Sequence, residues 1–136
     1  MNQSAILVAD DSATNVFVLT AMLRSFGLSC RVAVDGAEAV RMAEAEPPSL
    51  ILMDINMPKL NGIEAAVKIR ASGQPTAIVA VTAYPDSRHL AEFEEAGFDE
   101  LIVKPVDLAA LREIVRRYLG AALPSGASLA LQPRRG

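Results

Sequence analysis

The sequence predicts an α/β fold in which a parallel sheet is covered by helices on both faces. Five short, mostly apolar runs alternate with five segments in which apolar residues recur at helical spacing. Polar residues directly follow four of the runs, as happens where buried parallel strands end at a shared edge of a sheet. Together these observations indicate a single sheet with a site at one edge.

The five apolar runs are each short enough to be strands. We predict strands over residues 5–9, 28–34, 50–53, 77–81 and 101–103. The second is more mixed in composition than the others. The remaining four are almost wholly apolar, which is typical of strands that helices cover on both faces.

Helical spacing predicts five helices that follow these strands. They extend over residues 12–26, 36–45, 62–71, 87–96 and 107–119. Signals at their ends agree with this assignment, since Gly27 and Gly97 favour helix termination and Asp107 is placed to cap the fifth helix.

Length and composition indicate a single domain. The chain has 136 residues, 51% of them hydrophobic, which suffices for one core, and we assign residues 1–120 to this domain. The periodicity stops in residues 121–136, which are expected to form a disordered tail or the stub of a linker.

Charge and cysteine content argue against several other classes of protein. A net charge of -3 does not favour direct binding to nucleic acid or to an anionic membrane. Cys30 has no second cysteine to pair with, and the first residues lack the basic and apolar segments of a secretion signal. We therefore expect a cytoplasmic protein.

Acidic residues follow two of the predicted strands. Asp10 and Asp11 follow the first strand, and Asp54 follows the third. Three carboxylates in one cleft cost on the order of several kcal/mol unless a cation balances them. Since only oxygen ligands are nearby, Mg²⁺ is favoured over Zn²⁺. An isolated Asp-Asp pair is more often a helix cap, and the coincidence with Asp54, Thr82 and Lys104 reverses that preference.

The same residues suit phosphoryl transfer. Asp54 can act as a nucleophile toward a phosphoryl donor while a metal neutralises charge on the transferring group. Lys104 supplies a positive charge for the remaining phosphoryl oxygens, and the Thr82 hydroxyl can donate a hydrogen bond to one of them. Taken singly, Thr82 and Lys104 are more often ordinary residues at strand ends.

These residues resemble a known family, the receiver domains of two-component response regulators. The resemblance is carried by Asp10-Asp11 and by residues 52–62, 81–83 and 103–105, and it extends over residues 4–119. It implies a flavodoxin-like (βα)5 fold, a doubly wound parallel sheet with strand order 2-1-3-4-5.

The resemblance also implies a role for each residue of the site. Asp54 corresponds to the phosphoacceptor, and Asp11 and Asp54 to direct ligands of Mg²⁺. Asp10 corresponds to a ligand through water, and the backbone carbonyl of Asn56 to a further ligand. The donor is expected to be a histidine kinase or a histidine phosphotransfer protein, and the output a conformational change. The only activities implied are self-phosphorylation and self-dephosphorylation.

Two positions tune or depart from the commonest pattern of the family. Many receivers carry an aromatic switch residue where this chain has Leu101. Tyr84, two residues after Thr82, is placed to restrict attack of water on the phosphoryl group, although an exposed loop aromatic is an equally good interpretation. His89 lies on the fourth predicted helix, where a surface role is favoured over a phosphodonor role.

A charged face is predicted around the fourth helix, the fifth strand and the fifth helix. Its acidic and basic residues are Glu92, Glu94, Glu95, Asp99, Glu100, Arg112, Arg116 and Arg117. These charges are usually only solvated surface, but they can also pair within the molecule or between two copies in a homodimer.

Two alternatives remain open from the sequence. The chain can be the receiver of a hybrid histidine kinase, with its last residues as a linker stub. It can also be a Mg²⁺-dependent phosphatase with an aspartyl-phosphate intermediate, as in haloacid dehalogenase-like enzymes. Such enzymes need an Asp two residues after the nucleophile, and this chain has Asn56 there.

Overall fold

Five parallel strands form the centre of the structure, a computed structural model that describes residues 6–57, 60–83 and 87–120, with the backbone alone at residues 87–90. The strands are β1 (Ile6–Ala9), β2 (Cys30–Ala33), β3 (Leu50–Asp54), β4 (Ala77–Thr82) and β5 (Glu100–Val103). They pair in the order β2-β1-β3-β4-β5. The predicted flavodoxin-like order is therefore confirmed.

A helix follows each strand, as the periodicity predicts. The helices are α1 (Ala13–Ser25), α2 (Gly36–Ala45), α3 (Gly62–Ala71), α4 (Ser87–Ala96) and α5 (Leu108–Leu119). Ser12 caps α1 by accepting a hydrogen bond from the Asn15 amide, and Asp107 caps α5 by accepting one from the Ala110 amide.

The sheet is apolar on both faces because helices cover both. In β3, Ile51 and Met53 face one apolar cluster, which α2, α3 and α4 cover. Leu50 and Leu52 face a second cluster, which α1 and α5 cover. Successive side chains along each strand thus point alternately to the two apolar clusters. This explains why the strands are continuous apolar runs in the sequence.

The main difference from prediction lies in the edge strand β2. It spans Cys30–Ala33 and not residues 28–34. Its one partner is β1, whose described part pairs from Ile6 to Ala9, so the ladder has four rungs. Beyond the ladder, Leu28 packs against the second cluster and Val34 is 56% exposed.

Residues 121–136 lie outside the described part of the chain, so the expectation of a tail or linker stub stays a prediction. Within the described part, no helix has both the length and the apolar character needed to cross a membrane.

Candidate functional site

The register of the sheet brings the predicted site residues to one edge. Ala9 of β1 lies beside Met53 of β3, so the chain positions that follow, Asp10 and Asp54, are neighbours. Asp54 in turn lies beside Val81 of β4, which precedes Thr82. Parallel pairing therefore converts three distant sequence positions into one site.

Asp10 and Asp11 occupy the turn between β1 and α1 with opposite exposure. Asp10 is 1% exposed, and its Oδ1 accepts a hydrogen bond of 2.9 Å from the Ser12 amide. Its own amide donates to the Ala33 carbonyl at 3.0 Å. Asp11 is exposed. The first carboxylate is thus fixed in place, while the second faces solvent.

Asp54 is the last residue of β3 and is 6% exposed. Burial raises the pKa of its carboxyl group above the ordinary Asp value. The hydrogen bond from Lys104 opposes this rise, the nearby Asp10 charge adds to it, and the Lys104 charge and the Ile55 amide lower the pKa. The carboxylate is therefore partly desolvated and only partly compensated.

Lys104 supplies that partial compensation. Its Nζ donates to Asp54 Oδ1 at 3.0 Å and lies 3.8 Å from Asp10 Oδ2. The lysine follows β5, and its amide donates to the Thr82 carbonyl at 2.8 Å, which ties its backbone to the end of β4. The Lys104–Pro105 peptide bond is cis. Thr82 itself is buried at 4% exposure.

The three carboxylates fit a hard divalent cation. One oxygen each of Asp10, Asp11 and Asp54 lies within 4.8 Å of the others. Asp10 Oδ2 is buried and accepts no hydrogen bond from the residues that the structure describes. A buried carboxylate oxygen without a hydrogen-bond donor, on a residue clustered with two other carboxylates, fits a Mg²⁺ site.

The loop after Asp54 is held by backbone packing at Gly62. The Gly62 amide donates to the Ile55 carbonyl at 2.9 Å. A Cβ atom at Gly62 would overlap the Asp54 carbonyl oxygen, so no larger residue fits without moving the backbone of Asp54. Asn56, the fourth ligand implied by the resemblance, is exposed in this loop.

Of the positions predicted to tune the site, the structure describes Leu101 but not Tyr84. Leu101 is half-buried and packs against the cluster under α2, α3 and α4. Tyr84 lies outside the described residues, and so does the side chain of His89, although its backbone is part of α4. The roles proposed for all three stay predictions.

The charged face contains internal pairs. Glu100 of β5 accepts hydrogen bonds from Arg117 and from the Tyr118 hydroxyl, and Arg116 pairs with Glu113 at 3.0 Å. Burial and the hydrogen bond to Glu100 raise the pKa of Tyr118 to about 12. Some of the predicted pairing is therefore within the molecule, and the homodimer stays a prediction.

One exposed feature near the site was not predicted. Phe17 and Val18, in the second turn of α1, are 72% and 41% exposed. Thr14 and Ala21, one turn away on either side, are exposed too. The signal was available, because assigning Leu19 and Leu23 to the core leaves Phe17 on the opposite face of the helix.

The geometry and the sequence point to one class of protein. A family model, the response regulator receiver domain, matches residues 6–116. The chain belongs to this family, the receiver domains of two-component systems.

Three relatives illustrate the similarity. The receiver domain of a sensor histidine kinase from Pseudomonas aeruginosa, solved with a magnesium ion in its active site cleft, is 36% identical with a TM-score of 0.80, and the match covers 89% of this chain and 100% of that chain. The receiver domain of Ssk1 from Saccharomyces cerevisiae, solved with the histidine phosphotransfer protein Ypd1, is 30% identical with a TM-score of 0.77, covering 93% and 92%.

The third relative is the transcriptional regulatory protein PrrA of Mycobacterium leprae, 33% identical over 132 residues. That match covers 94% of this chain but 57% of PrrA. The similarity thus extends over a receiver domain and not over the whole of a longer regulator.

The titration of Asp54 tests the electrostatics of the site. In metal-free protein, its carboxyl should titrate above the ordinary Asp pKa because burial penalises the charged form. Lys104→Met removes the main group that lowers this pKa and should raise it further, whereas Asp10→Asn removes a repelling charge and should lower it. Carbon-13 NMR of the carboxyl group in EDTA measures both. Shifts of opposite sign in either variant would contradict the description.

The raised pKa of Asp54 makes the stability of the folded protein depend on pH. The folded protein holds the Asp54 proton more tightly than the unfolded chain does, so the contribution of Asp54 to stability is lost as pH rises through its folded-state pKa.

Proposed function

We propose that this receiver domain accepts a phosphoryl group from a phosphohistidine donor onto Asp54, in a reaction that depends on Mg²⁺, and signals by a change of conformation. One observation carries the proposal. Asp54 is a buried carboxylate with oxygens of Asp10 and Asp11 within 4.8 Å and the Lys104 Nζ at 3.0 Å. A nucleophile, acidic metal ligands and a fixed positive charge thus converge at one strand end.

The transfer itself requires little from the protein beyond placement and charge. A carboxylate oxygen of Asp54 attacks phosphorus as the bond from phosphorus to the donor imidazole breaks, and the product is an aspartyl phosphate. Lys104, which already contacts Asp54 Oδ1, offers its positive charge to the phosphoryl oxygens. Thr82 donates a hydrogen bond from its hydroxyl to another of them.

The metal ligands in this proposal are Asp11 and Asp54 directly, Asp10 through water, and the Asn56 backbone carbonyl. Bound Mg²⁺ neutralises the carboxylates and the charge on the transferring group. The burial and fixed orientation of Asp10 support its part, since its Oδ2 lacks a hydrogen-bond donor among the described residues. The similar receiver from Pseudomonas aeruginosa holds magnesium in its cleft, which supports the choice of metal.

Donors of two kinds agree with the relatives. The similar Ssk1 receiver was solved with a histidine phosphotransfer protein, and another similar receiver comes from a sensor histidine kinase. We therefore propose a histidine kinase or a histidine phosphotransfer protein as the partner, with the domain either separate or part of a hybrid kinase.

Phosphorylation by acetyl phosphate tests the chemistry without any partner. With Mg²⁺, intact-mass spectrometry should find one phosphoryl group on the wild type, and none with EDTA or in Asp54→Ala. Asp11→Ala should slow the reaction by on the order of a hundred-fold because a metal ligand is lost. Asp107→Asn is the matched control, since Asn also caps α5 and the residue lies outside the cluster. A full adduct on Asp54→Ala would refute the assignment.

The exposed residues Phe17 and Val18 suggest how a protein donor docks. They lie in the second turn of α1, which begins two residues after Asp11. Exposed aromatic and apolar residues are frequent anchors of protein interfaces. We assign this face of α1 to contact with the donor protein.

Phe17→Ala should separate docking from chemistry. At a low concentration of a phosphorylated histidine phosphotransfer protein that acts on wild type, transfer should fall about ten-fold, because an interface anchor is lost. The rate with acetyl phosphate should not change. Val67→Ala, at a residue 50% exposed on α3, is the control and should behave as wild type with both donors. Equal losses with acetyl phosphate and protein donor would place Phe17 in the fold and not in docking.

The proposed change of conformation begins at Thr82. Its hydroxyl can donate a hydrogen bond to a phosphoryl oxygen only when Asp54 is phosphorylated, which supplies the differential contact that a two-state switch requires. The start of α4, which follows Thr82 in sequence, rearranges in response. Leu101 has no ring and no hydroxyl, so we expect it to change its rotamer only.

Thr82→Ala tests this route. The variant should still bind the phosphoryl mimic beryllofluoride at Asp54, but the changes in backbone NMR shifts over residues 87–96 should be smaller than in wild type. The missing hydroxyl is the reason, since in this proposal it is the group of Thr82 that contacts the phosphoryl oxygen. Changes of equal size in both proteins would show that Thr82 does not transmit the signal.

A further inference from the structure

At the edge of the sheet opposite the site, Arg70 joins three separate segments. Its Nε donates to the Gly97 carbonyl at 2.9 Å, and its Nη1 donates to the carbonyls of Gln74 and Thr76. Its Nη2 pairs with Asp99 Oδ2 at 2.8 Å. We call Arg70, Gln74, Thr76, Gly97 and Asp99 the Arg70 cluster. It connects the end of α3, the segment before β4 and the turn from α4 to β5.

Asp99 fixes the turn to β4 as well as to Arg70. The Asp99 amide donates to the Ile78 carbonyl at 2.8 Å, and the Ile78 amide donates back to Asp99 Oδ2 at 2.9 Å. The carboxylate oxygen that Arg70 holds is therefore the one that holds the start of β4. The Asp99 carboxylate thus links Arg70 to the start of β4.

Gly97 allows the Arg70 side chain to lie directly against the carboxyl end of α4. It follows Ala96, the last residue of α4, with φ of 102°, a backbone conformation that favours glycine. A Cβ atom there would press on the Arg70 side chain. The rings of Phe93 and Phe98 flank Gly97 in sequence, are both buried and meet edge to face at 5.6 Å. The carboxyl end of α4 is thus held by apolar packing and by the Arg70 cluster.

We propose that the Arg70 cluster is the fixed end of the switch, so that α4 turns about its carboxyl end when the site is phosphorylated. This inference rests on the proposed function, in which movement begins at Thr82. α4 has ten residues and is about 15 Å long, with Thr82 before one end and the Arg70 cluster at the other. Displacement therefore grows from the Arg70 cluster toward residue 87.

Hydrogen exchange tests the fixed end in the unphosphorylated protein. Arg70→Gln should reduce protection of the Ile78, Phe98 and Asp99 amides about ten-fold or more, since charged hydrogen bonds are lost, and leave the Leu7 and Leu52 amides unchanged. Lys68→Gln, the same change of charge at an exposed site on α3, should have no effect. Should Arg70→Gln fail to fold, Asp99→Asn removes the ion pair but keeps an oxygen for the Ile78 amide. Unchanged protection, or an equal loss across the sheet, would overturn the proposal.

Beryllofluoride with Mg²⁺ then tests the turning movement. In wild type, changes in amide shifts should be large over residues 87–91 and small over residues 93–99. In Arg70→Gln they should extend into residues 93–99, whereas in Lys68→Gln they should not. Large changes at residues 93–99 of wild type would overturn the proposal. Fluorine NMR shows separately whether beryllofluoride binds. The absence of a bound signal would refute the proposed function, and hydrogen exchange would still decide whether the Arg70 cluster fixes the end of α4.

Discussion

Two buried carboxylates, placed side by side on an apolar sheet, are the constraint on which the site depends. Asp10 and Asp54 are 1% and 6% exposed. Among the residues that the structure describes, Lys104 is the positively charged residue that lies close to both. Burying like charges together is costly in a protein interior, where water cannot screen them. Within this described part of the chain, one lysine beside three carboxylates leaves negative charge uncompensated. The proposed Mg²⁺ follows from that imbalance, since a divalent ion reduces it.

The fold is what makes such a juxtaposition possible. In a parallel sheet every strand ends at the same edge. Because Ala9 pairs with Met53, the residues that follow them, Asp10 and Asp54, are neighbours. The apolar clusters on both faces exclude water beneath them. Gly62, whose position leaves no room for a Cβ atom beside the Asp54 carbonyl, holds the loop in place at the same edge. Chemistry and packing are therefore specified by the same few positions.

The sequence predicts the elements and the core of the site because both depend on local signals. Periodicity and caps such as Ser12 and Asp107 identify the helices, and a polar residue after an apolar run identifies each strand end. Residues outside these signals have no local pattern that identifies their contacts. The pairing of Arg70 with Asp99 joins positions 29 apart, and neither residue follows a pattern of its own. The length of β2 depends on its partner strand, and the exposure of Phe17 depends on which face of α1 is buried. Both are therefore determined by tertiary contacts and not by local sequence.

The two edges of the sheet have different tasks, and α4 connects them. The carboxyl edge concentrates charge that changes when a phosphoryl group arrives. The opposite edge ties Arg70 to carbonyl groups and to Asp99, away from the proposed phosphorylation site. A helix with one fixed end can convert a local electrostatic event near its other end into displacement of a surface. Without the Arg70 cluster, movement of α4 would have no fixed end and therefore no defined direction.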